Sequence, residues 1–165
     1  MIHQPVGPAW LTWLETSGVA VAMRQWLWLY PAVEICHILG FVVLVGAAVM
    51  FDLRLLGLSV RLPVRDLARH LLPWSRAGLG LVVPSGAAMF AAHATEWAVN
   101  RAFWLKLALL VAAGLNALAF DRGVFRSVAV WNRDVPAPAP AKAAAIVSLL
   151  LWAGVISCGR LLAYL

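Results

Sequence analysis

The sequence predicts an all-α integral membrane protein: a four-transmembrane-helix up-and-down bundle with an N-terminal interfacial amphipathic helix. Three observations carry this. Of the 165 residues 64% are hydrophobic and 12% charged, with a mean hydropathy of +0.88; a soluble domain of this size has more polar surface to cover. Four apolar stretches each approach the ~20 residues that a ~30 Å hydrocarbon core requires. The basic residues gather in short connections beside those stretches, as at a membrane surface. The net charge of +6 is therefore read as membrane electrostatics, with no nucleic acid as partner.

The chain divides into an interfacial segment, residues 1–30, and the bundle, residues 31–165. Pro5, Gly7 and Pro8 interrupt residues 1–13 and no basic residue precedes Arg24, so no secretory signal is expected and the first span stays in the mature protein. His3 is expected to lie in an unordered terminus. Residues 11–29 mix Trp13, Leu14, Met23 and Trp26 with Glu15 and Arg24, the pattern of a helix lying in the interface plane. Trp26, Trp28 and Tyr30 form an aromatic belt. Pro31 suits a first helical position.

The first span is expected over residues 31–51, ending at Asp52 and Arg54. The second runs over 71–97 with a kink expected at Pro84 and Ser85, the third over 102–120, and the fourth from 143 to the end. Between the third and fourth, residues 135–141 are a Pro-Ala run expected to be a stiff extended linker. Arg54, Arg61, Arg65 and Arg69 follow the first span; Arg122, Arg126, Arg133 and Lys142 follow the third. The positive-inside rule places both sets in the cytoplasm. The expected location is a bacterial inner membrane, multi-pass, with both termini periplasmic.

The ionisable residues within the spans are the functional signal, because a charge in hydrocarbon costs at least ~2.5–3.5 kcal/mol on insertion scales. Glu34, His37, His93, Glu96, Lys106 and Arg160 all fall in the outer third of the bilayer if the span limits hold. Glu34 and His37 are three residues apart and share a helix face, as do His93 and Glu96. Bland readings stand beside this one: Lys106 and Arg160 can snorkel to headgroups, and His37 can bond a neighbouring carbonyl. Three chemistries could use such a layer. Haem b needs an axial imidazole, which His37 offers, with His93 as a second, and cations such as Lys106 and Arg160 for its propionates. Copper or another metal could use His37, His93, Glu34 and Glu96, or Cys36. A proton or quinone site could use Glu34 or His37. Cys36 and Cys158 are read as buried free thiols, with a bridge or a soft-metal contact as the alternatives. Asp52 with Arg54, Arg76, and Asp121 with Arg122 are read as inner-interface ion pairs or helix-end contacts. Asn116 is read as a bond between helices, and the small residues of 45–49 and 78–80 as close packing.

Two segments resemble known families. The first span reads His37-Ile-Leu-Gly, Gly46 and Phe51-Asp-Leu-Arg-Leu-Leu56; the third reads Phe103-Trp-Leu-Lys-Leu-Ala-Leu-Leu110 and continues to Asn116. They are loosely similar to CopD-type copper-resistance domains, membrane protoporphyrinogen oxidases and four-helix b-type cytochromes. Trp28-Leu-Tyr-Pro31 and Gly159-Arg-Leu-Leu-Ala-Tyr164 add a closer similarity to an uncharacterised bacterial four-span family, the DUF6644 type. The broader group implies haem at His37 with Lys106 near its reactive edge. The third and fourth spans lack histidine, so two bis-histidine haems are excluded. The expected function is electron transfer by a haem b or redox-metal protein near the outer face, with other membrane or periplasmic redox proteins or a second copy as partners. A non-catalytic accessory subunit without cofactor and a copper-handling protein are the alternatives. The sequence assigns no enzymatic activity.

Overall fold

A computed structural model describes residues 7–162, and every regular element among them is helical. His3 lies outside the described residues. The elements are α1 (Ala9–Glu15), α2 (Gly18–Gln25), α3 (Leu29–Leu56), α4 (Val64–Ala92), α5 (Ala94–Val99) and α6 (Arg101–Arg122). A 3-10 helix (Val124–Val130) and α7 (Ala139–Leu161) complete them. Among the described residues α3, α6 and α7 are long and apolar enough to cross a membrane. The fourth long helix, α4, has 29 residues but carries Arg65, Asp66, Arg69, His70 and Arg76 in its first half.

The long helices run up and down. α4 packs antiparallel on α3, α7 packs on α3 and α6, and large apolar side chains such as Val42, Val111 and Leu150 stay exposed on their flanks. This is the reverse of a soluble bundle. The tightest seam is α3 on α4. A Cβ on Gly78 would lie 2.6 Å from the Gly40 carbonyl oxygen, and one on Gly40 would lie 2.8 Å from Leu81 Cβ. Hydrogen side chains at both positions let the two backbones touch, which is how apolar helices gain packing energy without a hydrophobic driving force.

One end of the bundle is rich in arginine. There α3 stops at Gly57, whose φ of +114° is left-handed, and the Gly57 and Leu58 N–H groups donate to the Arg54 and Leu53 carbonyls. This is a Schellman cap. The loop beyond it is held from beneath by Arg54, which is 2% exposed. Its guanidinium donates to the carbonyls of Leu62 (2.7 Å), Val60 (2.9 Å) and Asn132 (3.3 Å). Asn132 then caps α4 from another loop: its carbonyl accepts from Val64 N–H and its Oδ1 from Arg65 N–H, both at 2.9 Å. Trp131, Val128, Ala137 and Ala141 pack on Phe51, Leu55 and Val64 over this knot.

Several expectations change. The N-terminal helix is two, because Ser17 accepts from Ala20 N–H and starts a new helix after Glu15. Its interfacial position stays a matter of proposal. The second apolar helix starts earlier and ends earlier than expected: α4 stops at Ala92, His93 is the break with φ −137° and ψ 38°, and α5 follows. Pro73 and Pro84 lie inside α4 without ending it. Part of the connection before α7 is a 3-10 helix, and α7 starts at Ala139, inside the Pro-Ala run, with Pro138 as its cap. Arg54 forms no ion pair with Asp52: its Nε and Nη2 donate to loop carbonyls and its Nη1 has no hydrogen-bond partner.

Two outcomes follow from this packing. Gly78→Ala should lower the thermal unfolding temperature in detergent, with a cost of about 1–3 kcal/mol for overpacking. Gly80→Ala, which meets nothing within 4 Å, should leave the transition unchanged or raised. Arg54→Met should strand the Leu62 carbonyl, at about 1–3 kcal/mol for a buried group left unpaired, while the Val60 and Asn132 carbonyls keep the Asp134 and Val64 N–H groups; it should also speed proteolysis within residues 57–63.

Candidate functional site

The end opposite the arginines carries the residues from which a polar layer is expected. Its central member is His37, half-buried on α3. The close α3–α4 seam seats its ring in α4 beside Gly86, where a Cβ would come within 3.1 Å of the ring Cε1. Nδ1 lies 3.0 Å from Ser85 Oγ. The single Ser85 hydroxyl proton is directed to the carbonyls of its own helix, at Leu81 and Val82. Ser85 therefore accepts from Nδ1–H, and the Val82 carbonyl stands beside the same ring as a further acceptor. This network assigns the proton to Nδ1 and leaves the Nε2 lone pair available to a ligand.

Lys106 comes to the same region from α6. It is partly buried and lies against α7, its Nζ 3.7 Å from where a Cβ on Gly159 would sit. Its charge acts on His37, as does that of Glu34, which is itself exposed. Arg160 is exposed on the last turns of α7.

His93 and Glu96 form a separate group. His93 sits in the break between α4 and α5, edge-on to Tyr30 (5.6 Å) and stacked with Trp97 (6.0 Å). Its Nδ1 is 3.5 Å from Glu96 Oε2. The partner of His37 on α4, Ser85, lies eight residues before His93, which is ~12 Å along a helix axis. The two imidazoles are thus at different levels and do not face one another across a common atom. Among the described residues no three His, Cys, Asp or Glu side chains gather where a metal ion would need them. Cys36 and Cys158 are free thiols, exposed and buried respectively. Phe90 and Phe103 stack at 4.9 Å and join α4 to α6 across this end.

Two features escaped the sequence reading. Glu15 is fully buried, and its Oε2 accepts from Thr95 N–H at 2.9 Å. Arg24 donates to the Glu15 carbonyl (2.7 Å) and the Ala92 carbonyl (2.8 Å), tying α1 and α2 onto the α4–α5 break. The second feature is a cavity of about 580 Å³ in the arginine-rich half, between α3, α4, α6 and α7. Leu44, Leu79, Phe120 and Trp152 contribute apolar wall, and Asp52 and Asn116 contribute polar atoms. Asp52 is 6% exposed and its Oδ2 has no hydrogen-bond partner, although the Ser148 hydroxyl stands beside the carboxyl. Asn116 donates to the Ala144 carbonyl at 3.0 Å, the interhelical bond expected of it. A lone aspartate one turn before a helix end was the available signal, but the arginine two residues later offered a false partner.

With only helices and three of membrane length among the described residues, and outward apolar flanks, the chain has the character of a membrane protein. Residues 10–165 match DUF6644, a family of unknown function, and the chain belongs to that family. No curated protein and no solved structure matches it.

The tautomer is directly measurable. Spectra of ¹⁵N-histidine-labelled protein should show His37 protonated at Nδ1, and Gly86→Val should shift that signal by displacing the ring. A wild-type His37 protonated at Nε2 contradicts the assignment.

Proposed function

We propose that this chain is a four-span membrane protein in which His37 is the single protein ligand of a haem b or redox metal serving electron transfer. The observation that supports it best is the fixed His37 ring with its free Nε2. Ligating histidines commonly donate the other ring N–H to a neighbouring acceptor, which sets their orientation, and Ser85 fills that role. The donor set favours haem over a bare ion. Haem brings four equatorial nitrogens and needs only an axial imidazole. A copper or di-iron centre needs several protein donors at one point, and none converge among the described residues. When bound, the haem would supply one-electron chemistry. Ser85 would hold the imidazole, Gly86 would give it room, and Lys106 would attract an anionic propionate. Glu34 would offset the charge of Lys106.

Chain direction supports the four-span topology: α3 and α6 run the same way, with Phe51 against Phe120 and each packed on an antiparallel neighbour, so α4 would carry the chain back across. By the positive-inside rule the arginine-rich end would lie in the cytoplasm and the His37 end would face the periplasm of an inner membrane. Trp13, Trp26 and Trp28, all exposed, would anchor α1 and α2 at that interface. The runner-up is a cofactor-free accessory subunit; the exposed apolar flanks of α3, α6 and α7 favour it, since partner helices could cover them.

Purified protein should show a Soret band. His37→Ala should abolish it with helicity and elution unchanged, while His93→Ala should keep it. Copper without a Soret band would move the assignment to copper handling. Protein with neither haem nor metal overturns the proposal in favour of the accessory subunit.

A further inference from the structure

A second site, independent of His37, lies at the arginine-rich end. Arg65, Arg69 and Arg76 fall at i, i+4 and i+11 of α4 and therefore share one face. Together with Phe125 they line a groove of about 460 Å³. All three are exposed, and among the described residues none of their guanidinium groups has an ion pair or hydrogen bond. The groove does not end at the surface. Leu72, Arg76 and Phe125 also line the cavity of about 580 Å³, so the basic groove leads into the apolar chamber between the four long helices.

A row of unpaired guanidinium groups is built for oxyanions, which arginine can grip in bidentate fashion. Basic pockets between membrane helices at the cytoplasmic side take phosphate headgroups for this reason. The chamber behind the row is walled mainly by leucine, alanine and phenylalanine, and suits a hydrocarbon chain. Two acidic groups line it: Asp121, which is exposed, and Asp52, which is buried with one oxygen unpartnered. An anion cannot approach that oxygen without repulsion, so Asp52 sets the polarity of entry: tail inward, head held at the arginines.

We infer that Arg65, Arg69 and Arg76 bind the phosphate head of an amphipathic lipid whose apolar chain fills the cavity beneath Asp52. Two sources share this chemistry: an anionic bilayer phospholipid and a polyprenyl monophosphate.

Native mass spectrometry of the full chain in detergent separates them. Phosphatidylglycerol, polyprenyl monophosphate, phosphatidylcholine with matched acyl chains, and inorganic phosphate are titrated in parallel. One of the two anionic lipids should bind at least about tenfold more tightly than phosphatidylcholine, given three basic side chains near one phosphate. Which of them does so identifies the source. The Arg65→Gln, Arg69→Gln, Arg76→Gln triple variant should lose that preference. Gly114→Leu tests the chamber: Gly114 lines it and a Cβ there meets nothing within 4 Å, so a leucine can project into it. It should weaken lipid binding without changing the preference for an anionic head. Asp52→Asn should retain anionic lipid. Thermal unfolding of each variant checks that the fold persists. Equal binding of phosphatidylcholine and both anionic lipids by wild type overturns the inference. So does a folded triple variant that binds anionic lipid as wild type does, or inorganic phosphate binding as tightly as lipid.

Discussion

The contact between Gly40 and Gly78 sets the register of the molecule. Two helix backbones meet there without intervening side chains, and every cross-strut between α3 and α4 follows from it. Seven residues above the contact on α4, Ser85 meets His37. On the other side, Ser75 donates to the Leu44 carbonyl. A side chain at either glycine would push the helices apart and carry the His37 ring away from the Ser85 hydroxyl that fixes its tautomer. The histidine is thus a property of the seam as much as of its own helix.

The two ends of the bundle use polar groups in opposite ways. At the arginine-rich end Arg54 is buried yet serves loop carbonyls, so its charge closes a knot of backbone acceptors that hydrocarbon cannot satisfy. Asn132 belongs to the same knot and supplies α4 with the N-terminal acceptors that helices lack. At the other end Glu15 and Arg24 do the matching task for the break at His93, one at the start of α5 and the other at the end of α4. Each knot joins segments far apart in the chain, and between them the helices need only pack.

That division leaves two places where polar chemistry is not consumed by the fold. One is the Nε2 side of His37, with Lys106 nearby. The other is the pair formed by the unpartnered Asp52 oxygen and the unpaired arginine face of α4. Among the described residues most structural polar groups are paired, as burial in a dry environment requires; Arg54 keeps one buried nitrogen, Nη1, without a partner.

Helicity, the count of long helices and their approximate limits were legible from the sequence, because twenty consecutive apolar residues have few other solutions. The expectation that His37 and Lys106 share one layer has the same origin, since depth along a straight helix is proportional to residue number. Asn116 and Gly78 were also read correctly as packing features, although Gly46 and Gly80 face open space. The break at His93 was not legible: it depends on Arg24 taking the Ala92 carbonyl from another helix, and no local signal in residues 89–97 encodes that partner. Nor was the fate of Arg54, which sits two residues from Asp52 but points to loops that fold over it. Depth is a one-dimensional property that a sequence carries by itself. Which face of a helix meets which neighbour, and hence whether a charge is paired, capped or left open, is decided only when the helices close on one another.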